Sequence, residues 1–351
     1  MNRRTNVRTL AVVVGILVVV LGLGVAGVVA SPARPSLDLP AVTPSSLVVS
    51  VLRTAESGRP VSGTVTTHVE LGLPELPSYG SADPTGIAAF VGDQRFRVWH
   101  SSDGVRIAQM FPYAERVLVG GPSGLWTWNS DTAVAVHTPV DPTAVRSATR
   151  KLSGSLGDPV SLAGRLLHAA SRDAEVSMAP PAEVAGRAAY VLRLSPMSTT
   201  TKIGRVEVAV DATTRVPLRV QVFARSMVAP AVNVGFASVD FGPIDASMFD
   251  FSPPPGTTVR QGSVPAAPSD EAAPDKTASG NAAPELRVFG RGFDLVVAAP
   301  VGSPGRLRSL LPFDGPLASA ELVESKGAGG AWILAGPVER SALDAAAAKL
   351  P

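Results

Sequence analysis

Residues 61–71 read VSGTVTTHVEL, and their alternation decides the fold class. Val61, Gly63, Val65, Thr67, Val69 and Leu71 share one face, and Ser62, Thr64, Thr66, His68 and Glu70 share the other. Side chains along a strand point alternately to opposite faces, so this stretch is a strand with one buried and one wetted side. The same period returns on both sides of it. Short strands are predicted at 94–100, 104–111, 115–120, 124–128 and 132–137, then at 173–179, 187–195, 203–211, 216–224 and 231–241. Asp103-Gly104 reads as a hairpin turn, and Asp211 to Thr214 as a loop between two strands. Consecutive strands joined by short loops make an antiparallel meander.

Helical spacing interrupts this pattern twice. Leu47, Val48, Val51, Leu52 and Ala55 form an apolar stripe through residues 46–57, with Ser45 or Ser46 as cap. Asp158-Pro159 opens a second stretch, with Leu162, Leu166, Leu167 and Ala170 as its stripe. Residues 252–284 then hold seven prolines and no aromatic residue, too long for an ordinary loop and typical of a linker. Beyond it, residues 285–351 read as a small second domain. LRVFGRGFDLVV (286–297) is predicted as a strand with a glycine kink, AELVES (320–325) and AWILAG (331–336) as a hairpin around Gly327 to Gly330. Ser341 and Asp344 resemble a capping box for a last helix with Leu343, Ala347 and Leu350 on one side. A 67-residue unit without disulfides is marginal on its own, which favours docking onto the first domain.

Residues 10–30 form an uncharged apolar run of 21 residues, about 31 Å as a helix and close to the ~30 Å hydrocarbon core. Arg3, Arg4 and Arg8 precede it within the basic segment 1–9, which places the N-terminus in the cytoplasm. The run is a membrane anchor or a long signal peptide. Either way the following residues work outside the cytoplasm, at the outer face of the cytoplasmic membrane or secreted after cleavage. Residues 31–44, with Pro32, Pro35, Pro40 and Pro44, make a tether.

Composition narrows the function. Glycine and proline number 33 and 32 of 351 residues, about 19% against roughly 12% on average, which argues against a mostly helical protein. The formal charge is +2, but the three N-terminal arginines carry it: residues 31–351 hold 28 bases against 29 acids. No basic stripe for nucleic acid is visible. The absence of cysteine excludes disulfides, thiolate metal sites and cysteine nucleophiles. His68, His100, His137 and His168 form no HxxxH or HExxH pattern, and His68 with Glu70 gives only two ligands on a wetted face. Ser123 in GPSGLW is no nucleophile elbow, and Gly290 and Gly292 lie in a strand-like run rather than before a helix. Asp173 and Glu175 read as solvated. The sequence announces no metal, no cofactor and no catalytic constellation, so the expectation is a non-enzymatic protein.

Its apolar residues suggest a different use. Phe96, Trp99, Phe111, Tyr113, Trp126 and Trp128 fall within 33 residues. One sheet with a single apolar face must cover it with helices or fill it with ligand. The candidate groove consists of Val65, Val69, Phe96, Val98, Trp126, Trp128, Val206, Val208, Leu218, Val220 and Phe236, with an ordinary core as the plainer reading of each. A one-residue slip of register would reverse which faces line it.

Three stretches carry a family resemblance. The helix followed by VSGTVTTHVEL (61–71) is the first. VAGRAAYVLRLSP (184–196) with IGRVEVAVDATTRVPLRVQVFA (203–224) is the second, and FASVDFGPIDASMFDFSPPPGTTV (236–259) the third. Together they make residues 45–259 resemble the lipoprotein-carrier superfamily that includes LolA and the N-terminal domain of RseB/MucB. That resemblance implies a mainly β fold with α (α+β): a curved, incomplete antiparallel β-barrel covered by helices. AWILAGPVERSALDAAAAKL (331–350) resembles the end of the smaller RseB-type C-terminal α+β domain, here 285–351 after a linker at 260–284. The resemblance further implies an acyl chain or lipoprotein as ligand. A single-pass anti-sigma factor is the implied partner, and sigma-factor regulation in envelope stress the implied role. A LolA-like carrier at the outer face of the cytoplasmic membrane is the alternative, and a structural envelope protein with a filled core is a third.

Overall fold

The computed structural model describes residues 37–70, 92–139, 174–262, 286–301, 311–325 and 330–350, together with Pro159, Val160, Ala163, Leu167, Asp173, Gly305 and Arg308. The run 10–30 and most of the linker lie outside them. Among the described residues no helix is long and apolar enough to cross a membrane.

Alternation builds the first six strands: β1 (Val61–Val69), β2 (Gly92–His100), β3 (Val105–Met110), β4 (Glu115–Gly121), β5 (Gly124–Asn129) and β6 (Val134–Thr138). Five more follow: β7 (Ala174–Val184), β8 (Arg187–Pro196), β9 (Ile203–Asp211), β10 (Pro217–Ala224) and β11 (Val232–Asp240). With β12 (Thr258–Gln261) they form one twelve-stranded sheet in the order β12-β6-β5-β4-β3-β2-β1-β11-β10-β9-β8-β7. The two meanders meet where β1 pairs with β11, from Ser62↔Asp240 to Val69↔Val232. That non-local seam makes the two runs one sheet. All neighbours are antiparallel except β12, which lies parallel to β6. Arg260 and Gln261, expected in the linker, thus belong to an edge strand.

The sheet does not close, but it bends hard. Three strands separate β7 from β11 in the sheet, about 19 Å if it were flat. Their Cα atoms nevertheless approach within 8 Å. Helix α1 (Pro44–Glu56) sends Leu47 and Val51 into the core. Thr43 caps it through its side-chain oxygen, which accepts the Ser46 N–H, instead of the expected Ser45 or Ser46. Pro44 stands at the helix start, where its missing N–H costs nothing. In the second helical stretch, Val160, Ala163 and Leu167 are helical and buried in the same core. Of the predicted stripe only Leu167 falls among described residues.

The C-terminal residues form a separate five-stranded sheet. Its strands are β13 (Arg287–Phe289), β14 (Val296–Val301), β15 (Phe313–Asp314), β16 (Ser319–Glu324) and β17 (Ala331–Gly336), in the order β13-β14-β17-β16-β15. The predicted single kinked strand over 286–297 is two antiparallel strands. Gly290 and Gly292 hold φ of +72° and +56°, a backbone region open to glycine, and reverse the chain between them. β16 and β17 pair as the predicted hairpin. Helix α2 (Arg340–Ala347) starts one residue before the predicted box. Its N-cap is Glu339, which makes no side-chain capping bond. Leu343 and Ala346 are its buried residues; Leu350 just beyond it is buried in the same cluster, and Ala347 packs against that cluster half-buried.

Candidate functional site: the apolar face of the curved sheet

Pairing registers assign every strand residue to a face. Leu192 and Leu194 of β8, Val206 and Val208 of β9, Val220 of β10 and Val232 and Val234 of β11 line the inner face with exposures of 0%. The valleys continue through Val65, Val69, Phe96, Val98 and Ile107, all buried in the same cluster. Nine of the eleven candidate residues therefore meet on one face: Val65, Val69, Phe96, Val98, Val206, Val208, Leu218, Val220 and Phe236. Trp126 and Trp128 do not join them. Phe96 and Val98 continue across β3 and β4 to Leu118 and then to Thr127, which puts the two tryptophans on the outer face.

That outer face has its own small core. Trp99, Trp126, Trp128 and Phe251 pack against Ala108, Val117 and Val119. Trp126 stacks on His137 at 4.2 Å, and the His137 Nε2 bonds the Ser123 carbonyl at 2.8 Å. Ser123 itself sits in the turn between β4 and β5, not on a strand–helix elbow. Phe249, fully buried, is seated between Gly104 and Gly121. A Cβ on either glycine would press into the Phe249 ring or its carbonyl oxygen. The FDF of residues 249–251 thus straps the end of the domain to the outer face.

The inner face changes character along the sheet. Over β8–β11 and β1–β2 it is covered. Over β4–β6 Leu118, Val134 and Val136 are half-buried and Thr127 is exposed. Polar groups gather where the covered part ends. Buried Thr67 stands opposite Gln94, and the Gln109 amide donates to the Gln94 carbonyl at 3.0 Å. Arg116 is the cross-strand neighbour of Gln109 and lies over the Phe111 ring at 4.9 Å. The apolar row of the inner face thus ends in two amides and a guanidinium. The outer-face charges differ. His68 lies against Asp93; burial pushes its imidazole down while Asp93 and Glu70 oppose.

The DATTR turn between β9 and β10 proves structural. Asp211 is 1% exposed and takes Arg187 through both carboxylate oxygens. Its Oδ1 also accepts the Thr213 N–H at 3.1 Å and the Thr214 N–H and hydroxyl at 2.6 and 2.8 Å. Burial pushes this carboxyl up, but the bonds from Arg187 and Thr214 outweigh it and hold it below the ordinary value.

No family model matches the chain, and no curated protein matches it. Solved structures do. The chain is similar to MucB. Identity with the MucB crystal structure is 16%, over 86% of this chain and 96% of MucB, at a TM-score of 0.47. The MucA/MucB complex from Pseudomonas aeruginosa gives 13% identity, 87% and 96% coverage, and a TM-score of 0.45. The LolA superfamily protein NE2245 from Nitrosomonas europaea gives 11% identity, 60% and 99% coverage, and a TM-score of 0.24. These are the two groups that the three sequence stretches resemble.

Docking of the small unit onto the first domain was expected, but not the residues that make the junction. The loop from Met197 to Lys202, between β8 and β9, holds the C-terminal unit. Thr201 bridges Val338, the Lys202 N–H donates to the Pro337 carbonyl at 2.8 Å, and the Glu339 N–H donates to the Thr200 carbonyl at 2.8 Å. Ser198 and Thr200 hydroxyls both donate to Asp294, at 2.8 and 2.7 Å. The Lys202 ammonium, 8% exposed, meets Asp314 and the Gly315 carbonyl. Phe293, Phe313, Leu317, Ala318, Ala320 and Ala335 belong to the core of the large sheet. No periodicity announces such a contact; only the cluster of serine, threonine and lysine in MSTTTK (197–202) marks the loop as polar.

Proposed function

We propose that the chain is a non-enzymatic extracytoplasmic sensor of the RseB/MucB type, with residues 45–259 as lipid- or lipoprotein-binding domain and 285–351 as second domain. Residues 10–30 tether it to the outer face of the cytoplasmic membrane. The open part of the inner face, over β4–β6, takes an acyl chain. Burial contributes about 0.8 kcal/mol per CH₂, so a 16-carbon chain yields on the order of 10 kcal/mol before ordering costs. The partner is a single-pass anti-sigma factor.

One observation carries this reading: the C-terminal unit is built into the end of the large sheet through a shared core and Lys202, not hung from the linker. A single-domain carrier has no use for that junction, whereas a sensor needs its ligand face and its partner surface mechanically joined. The test is photo-crosslinking in the native host from Thr127, on the open inner face, and from Val288, on the edge strand of the small sheet. The expected result is acylated species trapped at Thr127 and one membrane protein, encoded beside a sigma factor, at Val288. Many lipoproteins through Thr127 with no membrane protein at Val288 would indicate a LolA-like carrier. Nothing trapped at either position would point to a filled core and a structural role.

A further inference from the structure

The two ends of the large sheet differ in what is attached to them. The chain enters at the end that carries the β7–β8 and β9–β10 turns. There Leu39 and Val42 pack on the main core, and the Tyr190 hydroxyl donates to the Pro40 carbonyl at 2.8 Å. Tyr190 pairs with Val210, beside the Asp211 turn. The tether is therefore fixed to the fold before α1 begins. Only six residues, SPARPS, separate Ala30 from Leu37.

The C-terminal unit is fixed at the opposite end, through Thr201 and Lys202. Within it, Ala320 and Ala335 face the large sheet, while α2 packs on the other side against Trp332 and Leu334. Helix α2 thus lies on the side of the small sheet turned away from the large one, and its N-cap Glu339 bonds the junction loop at Thr200.

We infer that the end of the large sheet bearing the β7–β8 and β9–β10 turns faces the membrane, and that the C-terminal unit projects outward with α2 outermost. The inference rests on the anchor reading of residues 10–30 under the proposed function. Seven Cα–Cα steps span at most about 25 Å, so the entry end stays close to the lipid surface. The ten residues of β8 run about 33 Å from that end to the junction. A membrane partner that meets the C-terminal unit must therefore do so with a segment standing roughly 30 Å or more off the bilayer. A short juxtamembrane stub does not fit.

The chain has no cysteine, so single labels are unambiguous. Thr213→Cys in the β9–β10 turn and Lys349→Cys after α2 would each carry an energy donor. The full chain would be reconstituted in phosphatidylcholine–phosphatidylglycerol vesicles with acceptor-labelled headgroups. Severalfold more transfer from position 213 than from position 349 is expected, and a long Gly-Ser insertion after Ser36 should abolish the difference. Equal transfer, or more from position 349, in chains that float with the vesicles would overturn the orientation while leaving the anchor intact. Chains that fail to float would overturn the anchor, and the orientation with it.

Discussion

The inner face of the large sheet differs between its two ends. On β8–β10 the alternating positions Leu192, Val208 and Val220 are fully buried, whereas on β4–β6 the equivalent row passes through half-buried Leu118 to exposed Thr127. Alternation fixes which side a residue points to, but not what stands opposite. Tight curvature brings β7 back toward β11, and α1 with Val160, Ala163 and Leu167 fills the space enclosed. Among the described residues the β4–β6 end has no such closure, and there the inner row is half-buried to exposed.

Substitutions can break or sharpen this contrast. Leu192→Ala should cost about 2–5 kcal/mol in urea unfolding, whereas Leu118→Ala should cost roughly 1 kcal/mol, because only the former opens a sealed cavity. Equal losses would erase the distinction between the two ends. Gly121→Ala should follow with about 1–3 kcal/mol, since its Cβ would displace the Phe249 strap. Partial unfolding of the outer-face tryptophans, read by fluorescence, should accompany it. Asp314→Ala should cost about 1–2 kcal/mol, because it leaves buried Lys202 with the Gly315 carbonyl and only the longer ion pair to Glu339, at 3.9 Å. Asp314 is half exposed, so this stays below the loss for a fully buried pair. Limited proteolysis should then release the C-terminal unit first.

The smallest effect is pH-dependent. Asp211 titrates below its ordinary value of 3.8 in the folded state, so the stability it confers is fully present above that pH. It disappears as pH falls through the folded value. Asp211→Asn should flatten the acid limb of a stability profile below pH 3.8 and leave the neutral region offset but parallel.

Much of this was legible. All eleven strands predicted over 61–241 from period-two patterning have an observed counterpart, with β7 running on to Val184, because alternation needs only a local backbone and one wet side. Nine of the eleven candidate residues share one buried cluster, the plainer core reading of each. Trp126 and Trp128 went elsewhere because the face of β5 is set by its pairing with β4, and aromatic size alone carries no face information. Gly290 and Gly292 looked like a kink, since nothing local distinguishes a bend from a reversal. The parallel strand β12 and the β1–β11 seam join residues more than a hundred positions apart, beyond the reach of any window.

The chain's own residues determined the mainly β class, most strand positions, the turns at Asp103-Gly104 and Asp211, and the lack of any cysteine chemistry. These follow from steric preference and burial within a few residues of each site. Tertiary structure alone decided that two meanders become one curled sheet. It also decided that Phe249 seats between two glycines and that Lys202 joins the C-terminal unit to the far end from the tether. Those outcomes depend on which distant surfaces exclude water together, and a free energy of contact between remote segments leaves no period in the sequence.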